Sequence, residues 1–370
     1  MAQPLRSRKR VRVEEDPLAS DAHADVDSFA LCARALASAR RGTAIVAGAR
    51  RFRLLVDVST GTRNAAAMDA LALLVRSAGP ESAFAADSAV QLAATRALSC
   101  AAETDLAEAI VDGGGVTGVV ALLTASADDV RFEATWCVGN LAAHSARCRD
   151  ALLNAAAATL LLVSLKYFMD ASARLTQLTP RVERRESAQR LDIVVWALGN
   201  LYLPASAAAR AASRVAPTIR VLVYVCSRPG SSLDMLVSAT RGLAGIAAFN
   251  AAALGEAPDA LSTLARLLAA HACCEATAPP DAHAVDIGVD GSDGIDGASR
   301  IEISRACVNA LGNALAADDD VAQRAIECGA ISALCGCIDD EACADVRTRA
   351  CWALSNIASG TAPQRAALAA

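Results

Sequence analysis

Apolar residues in this chain return at the i, i+3, i+4, i+7 spacing of helices that pack one face on a core. The stripe is clearest in Ala134, Cys137, Val138 and Leu141, then in Val194, Ala197, Leu198 and Leu201, and again in Ala350, Ala353, Leu354 and Ile357. Each carries the same companions, a Trp two residues after its first member and an Asn four residues beyond the Trp. The pairs are Trp136/Asn140, Trp196/Asn200 and Trp352/Asn356, and they use all three tryptophans of the protein. Residues four apart on a helix lie on one face, one turn above the other. Each segment therefore predicts a helix with an apolar back and an indole–carboxamide front, with Glu133 on the first front just before Trp136. Three further segments keep the back and lose part of the front. They are Ala94–Ala101 with Arg96 and Cys100, Ala239–Ile246 with Arg241 and Gly245, and Cys307–Ala314 with Asn309 and Asn313.

The Trp position or its substitute falls at 96, 136, 196, 241, 309 and 352, so successive copies lie 40, 60, 45, 68 and 43 residues apart. Three of these separations match armadillo or HEAT repeats. The two long ones each hold a stretch that reads as an insertion, near 170–190 and 276–299. Within a repeat the layout points to the armadillo unit. Leu106–Val111 predicts a short helix stopped by Asp112-Gly113-Gly114-Gly115, Val116–Leu123 a second helix, Ser126–Asp129 a polar turn and Arg131–Ala143 the Trp/Asn helix. Ala322–Glu327, Cys328-Gly329, Ala330–Ile338, Asp339–Asp345 and Val346–Ser359 repeat that order. The expected fold is all-α, an armadillo-repeat right-handed superhelical solenoid of about six to seven repeats, over residues 28–370. Phe29–Ala39 and Ala65–Val75 predict a first, poorly formed repeat, with Arg50-Arg51-Phe52-Arg53 between them as a surface patch. Val221–Val225 looks strand-like but lies between helical segments, and is expected inside a helix.

Composition narrows what such an array can do. Hydrophobic residues make up 54% and aromatic ones 3%, an Ala/Leu/Val bias that favours closely packed helices. Residues 1–27 form a flexible tail, basic at Arg6, Arg8, Lys9, Arg10 and Arg12 and then acidic. The formal net charge is −5, and an acidic body argues against direct nucleic-acid binding. Cysteines such as Cys137, Cys307, Cys328 and Cys351 fall at apolar positions and are expected buried and reduced. Cys335, Cys337 and Cys343 are crowded, but no His follows at finger spacing, so no metal site is expected. Asp286, Asp290, Asp293 and Asp296 in the second insertion miss the calcium-loop spacing and read as a flexible acidic loop. The most apolar stretch, Ala151–Leu165, is shorter than a membrane span and is expected as a core helix. His23, His144, His271 and His283 form no base or ligand set, and neither a phosphate loop nor a nucleophile elbow is present. No catalysis and no cofactor are expected.

An indole face attracts a Lys or Arg head and lies along its methylene stem. A carboxamide beside it can donate to a peptide carbonyl and accept from a peptide N–H. A row of such pairs suits an extended basic peptide, with Glu133 and Asp318-Asp319-Asp320 adding long-range attraction. Phe132-Glu-Ala-Thr-Trp136 with Gly139-Asn140-Leu141, Trp196-Ala-Leu-Gly-Asn200-Leu201, Val308-Asn-Ala-Leu-Gly-Asn313 and Ala350-Cys-Trp352-Ala-Leu-Ser-Asn356-Ile357 resemble importin α. That family carries proteins with basic nuclear-localisation signals, and the likeness runs from about Gln91 to Gly360. The resemblance implies a major signal-binding groove at Trp136, Asn140, Trp196 and Asn200, with Glu133 beside it, and a minor groove at Asn313, Asp319, Trp352 and Asn356. It implies an importin-β-binding or autoinhibitory role for Arg8, Lys9, Arg10 and Arg12, with signal-bearing cargo and importin β as partners, in cytoplasm and nucleus. Arg96/Cys100 and His144 stand where the family carries Trp/Asn and an acidic residue. The alternative is an armadillo scaffold that has kept the fold and lost signal-peptide binding.

Overall fold

The computed structural model describes residues 26–58, 65–78, 82–175, 179–203, 215–257, 259–271, 293–338 and 343–370. The tail with Arg8, Lys9, Arg10 and Arg12 lies outside the described residues, as do Asp286 and Asp290 of the second insertion. Every regular element among the described residues is helical. The chain divides into two compact units, one running to Leu201 with Ala205–Ser213, the other holding Tyr202–Pro204 and Arg214–Ala370.

In the first unit long helices stack in series. Gly42–Val58 packs on Ser88–Ala102, that helix on Asp128–His144, and that in turn on Arg181–Leu201. The predicted stripes hold them: Ala94, Leu98 and Ala101, then Ala134, Cys137, Val138 and Leu141, then Val194, Ala197, Leu198 and Leu201 are all buried. The first member of the series corrects an expectation. Arg50-Arg51-Phe52-Arg53 is not a patch between helices but part of Gly42–Val58, with Phe52 buried edge-on to Phe29 at 5.8 Å. Ile45, Ala49, Phe52 and Val56 make the buried stripe, while Arg50 and Arg51 face solvent. Arg181–Leu201 is long because it absorbs the second half of the first insertion. Its Arg190 guanidinium is tied to Asp128 at 2.8 Å and Asp129 at 3.4 Å, on the helix that carries Trp136.

In the second unit Leu233–Glu256 packs on Asp293–Leu315, and that helix on Ala344–Ala358. Leu233–Glu256 is two helices in one run. Asn250 leaves helical geometry (φ −148°, ψ 68°), and its side-chain oxygen accepts from the Ala253 N–H at 3.2 Å, so the last turns form the short first helix of the next repeat. Val215–Ser227 is the helix expected around Val221–Val225. The end of the second insertion is a correction, since residues 293–299, expected in a flexible loop, are the opening turns of Asp293–Leu315.

Between the short and middle helices of a repeat the chain reverses through one residue of positive φ. Gly114 (72°) and Gly329 (88°) serve at the expected glycine turns, and Ala156 (60°) and Asp259 (61°) at two others. Ala156 breaks the stretch Ala151–Leu165, expected as one core helix, into Ala146–Asn154 and Ala157–Ala173. Among the described residues no single helix is long and apolar enough to cross a membrane. A left-handed conformation costs a residue with a Cβ about 1–2 kcal/mol, and Ala156 is exposed, so its methyl group returns little in packing. Ala156→Gly should therefore raise stability by ~1 kcal/mol, seen as a higher urea midpoint, and Gly114→Ala should lower it by a similar amount. A lower midpoint for Ala156→Gly would show that the turn is not strained.

Candidate functional site

The three Trp/Asn pairs share one local geometry. Each Asn amide donates to the backbone carbonyl three residues past the Trp position of the preceding repeat. Asn140 Nδ2 reaches Ser99 O at 3.3 Å, Asn200 Nδ2 reaches Gly139 O at 3.3 Å and Asn356 Nδ2 reaches Gly312 O at 3.1 Å. In two of the three the accompanying indole lies against the same residue. A Cβ added to Gly139 would collide with the Trp196 ring, and one added to Gly312 would collide with the Trp352 ring. Glycine at these two positions makes the floor on which the next tryptophan rests, and its carbonyl has a second lone pair to receive the carboxamide.

Exposure differs among the pairs. Trp352 is 42% exposed, with Asn356 half-buried beside it. Trp136 and Asn140 are both half-buried. Trp196 is 5% exposed and Asn200 is fully buried, which corrects the expectation that all three fronts face outward. The physical reason lies in stacking. The Trp196 ring lies over Gly139 of the preceding long helix and packs against Trp136, ring centroids 5.8 Å apart and tilted by 39°.

Carboxylates surround Trp136. The indole N–H donates to Glu103 Oε1 at 3.3 Å, and Asn140 Nδ2 donates to the same oxygen at 3.1 Å. Glu103 is the residue that closes the helix Ser88–Ala102. Glu133, just before Trp136 on its own helix, pairs with Arg96 Nε at 2.9 Å. Burial raises the Glu133 carboxyl above its ordinary range, and the Arg96 hydrogen bond and charge, with the charge of Arg53, pull against that rise. The arginine at the Trp position of the preceding repeat is thus matched by a carboxylate of the next.

In the second unit the same front carries a chain of ion pairs. Arg241 contacts Glu302 at 2.9 Å, Glu302 contacts Arg305 at 3.2 Å, Arg305 contacts Asp345 at 2.6 Å, and Asp345 contacts Arg349 at 2.9 Å. Arg349 ends the chain by donating to Asn309 Oδ1 at 2.9 Å. Hydrogen bonding to Arg305 and then to Arg349 holds the Asp345 carboxyl below its ordinary range. Such a shift contributes stability above the unfolded-state pKa of Asp and loses it as pH falls through the folded value. Asn313 is half-buried beside Gly312, on the helix that supports Trp352. Asp319 opens the next helix, exposed, and its carbonyl accepts from Gln364 Nε2 at 3.1 Å. The structure thus joins Trp352, Asn356 and Gly312 directly.

Glu103, the arginine–carboxylate chain and the glycine floors were not singled out from the sequence. Glu103 lies one residue past a helix end, outside the periodic stripe. The glycines did leave a signal, since Gly139-Asn140, Gly199-Asn200 and Gly312-Asn313 repeat as dipeptides. Cys328, Cys335 and Cys351, expected buried, are exposed, while Cys137, Cys226, Cys307 and Cys337 lie in the core. Burial pushes the Cys226 thiol up to about 12. No group of His, Cys, Asp and Glu among the described residues is arranged to hold a metal ion.

The armadillo/beta-catenin-like repeat matches this chain at residues 104–143 and 318–359, one stretch in each unit. A designed armadillo repeat protein superposes with a TM-score of 0.54 at 20% identity, covering 77% of this chain and 99% of that one. The chain has an armadillo-repeat fold. A second designed armadillo repeat protein, in complex with the peptide (KR)4, gives a TM-score of 0.54 at 21% identity over 77% of this chain and 98% of that one. An engineered protein gives 0.65 at 22% identity, over 92% of this chain and 71% of that one. Both matched armadillo stretches contain a Trp/Asn pair, Trp136/Asn140 in one and Trp352/Asn356 in the other.

The glycine floor yields a test. Gly312→Ala should displace Trp352 and break the Asn356 bond, and overpacking of this kind costs about 1–3 kcal/mol. Urea denaturation of the variant reads the loss. Unchanged stability together with unchanged Trp fluorescence would remove the armadillo floor from the account.

Proposed function

We propose that this chain is an armadillo-repeat scaffold that binds extended peptides, and in its finer form a nuclear import adaptor for basic nuclear-localisation signals. The observation that carries this reading is the accessible indole with a carboxamide at its side, present in both units as Trp136/Asn140 and Trp352/Asn356. A large aromatic surface left at 42% exposure, as at Trp352, suits contact with another chain. The face has no reaction in view; its groups suit holding a side chain, an aromatic plane for a methylene stem and a carboxylate near its edge. The designed armadillo protein that carries (KR)4 shares this fold. The adaptor reading takes cargo proteins with basic signals as partners and importin β as a further one, and requires passage between cytoplasm and nucleus.

A second reading has its own support. Trp196 and Asn200 are buried, Glu133 is paired with Arg96, and Arg241, Arg305 and Arg349 outnumber Glu302 and Asp345 along the second front. These features favour a scaffold whose peptide is not simply polycationic.

One experiment separates the two. Fluorescence anisotropy with a labelled octapeptide of alternating Lys and Arg, against an octapeptide of alternating Glu and Ser, reads the charge preference. Micromolar or tighter binding of the basic peptide, weakened about fivefold or more by Trp136→Ala or Trp352→Ala, supports the adaptor reading. Preference for the acidic peptide supports the second. Failure to bind either peptide, or binding indifferent to both tryptophans, removes the Trp/Asn front as the site.

A further inference from the structure

The first two helices carry a charge opposite to that of the chain as a whole. Residues 26–58 hold six arginines and two aspartates, in a protein whose formal net charge is −5. Val26–Ser38 buries Phe29, Cys32 and Leu36, and on its opposite side Leu31, Arg34, Ala35 and Ser38 stand exposed at i, i+3, i+4 and i+7. Gly42–Val58 buries Ile45, Ala49, Phe52 and Val56 and exposes Thr43, Ala47, Arg50 and Arg51. Arg40 and Arg41, in the turn between the helices, are exposed as well. The Cys32 thiol joins the pair by donating to Gly48 O at 3.3 Å. Burial pushes that thiol up to about 11 and the charge of Arg51 pulls against the rise, which sets Arg51 near the seam between the helices. Arg53 is half-buried and acts on Glu133 instead. Among the described residues, Arg34, Arg40, Arg41, Arg50 and Arg51 have no ion pair and no side-chain hydrogen bond. The Asp87 carboxylate, beside Gly42, is taken by the Ala89 and Val90 N–H groups at 3.0 and 3.2 Å.

We propose that this outer face of the first two helices is a docking surface for an acidic segment of a partner protein, separate from the Trp/Asn front. A guanidinium takes a carboxylate in a two-pronged contact, and five guanidiniums here have no such partner among the described residues. Arg40/Arg41 and Arg50/Arg51 are neighbours in pairs, and an acidic segment relieves their mutual repulsion. Short side chains at Ala35, Thr43 and Ala47 lie among the arginines and let a second chain approach closely. Leu31, 47% exposed, adds an apolar contact on the same face. Extent decides the class of partner. Gly42–Val58 is about 25 Å long, which suits a short acidic segment. A nucleic acid running past it would meet a chain whose remaining residues carry a surplus of negative charge.

The test uses the full chain and anisotropy with the labelled octapeptide of alternating Glu and Ser. One triple variant, Arg34→Gln/Arg50→Gln/Arg51→Gln, removes charge from this face. A second, Arg181→Gln/Arg184→Gln/Arg185→Gln, removes the same charge from exposed positions of Arg181–Leu201. Binding should weaken about tenfold in the first, with a shallower dependence on salt, and stay within about twofold of the parent protein in the second. Trp136→Ala and Trp352→Ala should leave it unchanged. Far-ultraviolet circular dichroism and the urea midpoint should hold in both triple variants, because the exchanged side chains are exposed. The assignment fails if the parent protein does not bind this octapeptide, if the two triple variants lose binding equally, or if the tryptophan variants are the weaker ones. It fails too if a single-stranded oligothymidine binds this face more tightly than the octapeptide does, since the surface would then be one for nucleic acid. The basic-peptide reading of the Trp/Asn front stands or falls separately, on the Lys/Arg octapeptide.

Discussion

The bond on which each stack depends is short and local, an Asn side-chain amide donating to a carbonyl on the face of the preceding long helix. Helical carbonyls already accept one N–H, and their second lone pair is normally left to water or nothing. Here Ser99, Gly139 and Gly312 spend it on the Asn of the next repeat. Net, such a bond contributes only about 1 kcal/mol, so its importance is one of register. It fixes how far one helix slides along the next. The glycine beneath the indole fixes how closely the two approach, and at Gly139 and Gly312 a single methyl group would forbid that approach.

Because the same residues join the repeats and form the front, binding chemistry here is what remains after joining has been satisfied. The amide of Asn140 is already engaged by Ser99 and Glu103. The indole face and the carboxamide oxygen are the groups with chemistry to spare. Trp196 shows the other limit, where packing takes the whole side chain. One motif thus yields surface in one repeat and core in another, and repeating a sequence does not repeat a site.

Much of the fold was legible because its signals are periodic. The apolar stripes fell where they were expected except at Leu354, which is half-buried, and the glycine turns at Gly114 and Gly329 separated the short helices from the middle ones. Misreadings came where a non-periodic feature decided the outcome. Arg50, Arg51 and Arg53 masked a helix because three charges in four residues looked like surface, although Ile45, Ala49, Phe52 and Val56 keep the stripe. Ala156 took a conformation that sequence assigns to glycine. Trp196 looked accessible because a helical wheel has one buried face, whereas in the stack its ring also rests on Gly139 and Trp136 of the preceding long helix. Glu103 was invisible for the opposite reason, as an unremarked residue at a helix end that tertiary packing carries to the indole.

The substitutions of Trp by arginine at 96 and 241 follow the same logic of joining first. Each would place a cation on a face otherwise suited to holding one, and each is matched by a carboxylate from the next long helix, Glu133 or Glu302. Partly exposed pairs of this kind contribute only about 0.2–1 kcal/mol to stability, so their weight falls on the field at the surface. Pairing Arg96 with Glu133 sets the two charges against each other beside the Trp136 helix. In the second unit three arginines share two carboxylates, so the front near Trp352 keeps a net positive charge along its ion-pair chain. Charge along each front is thus set repeat by repeat, by how each arginine is matched.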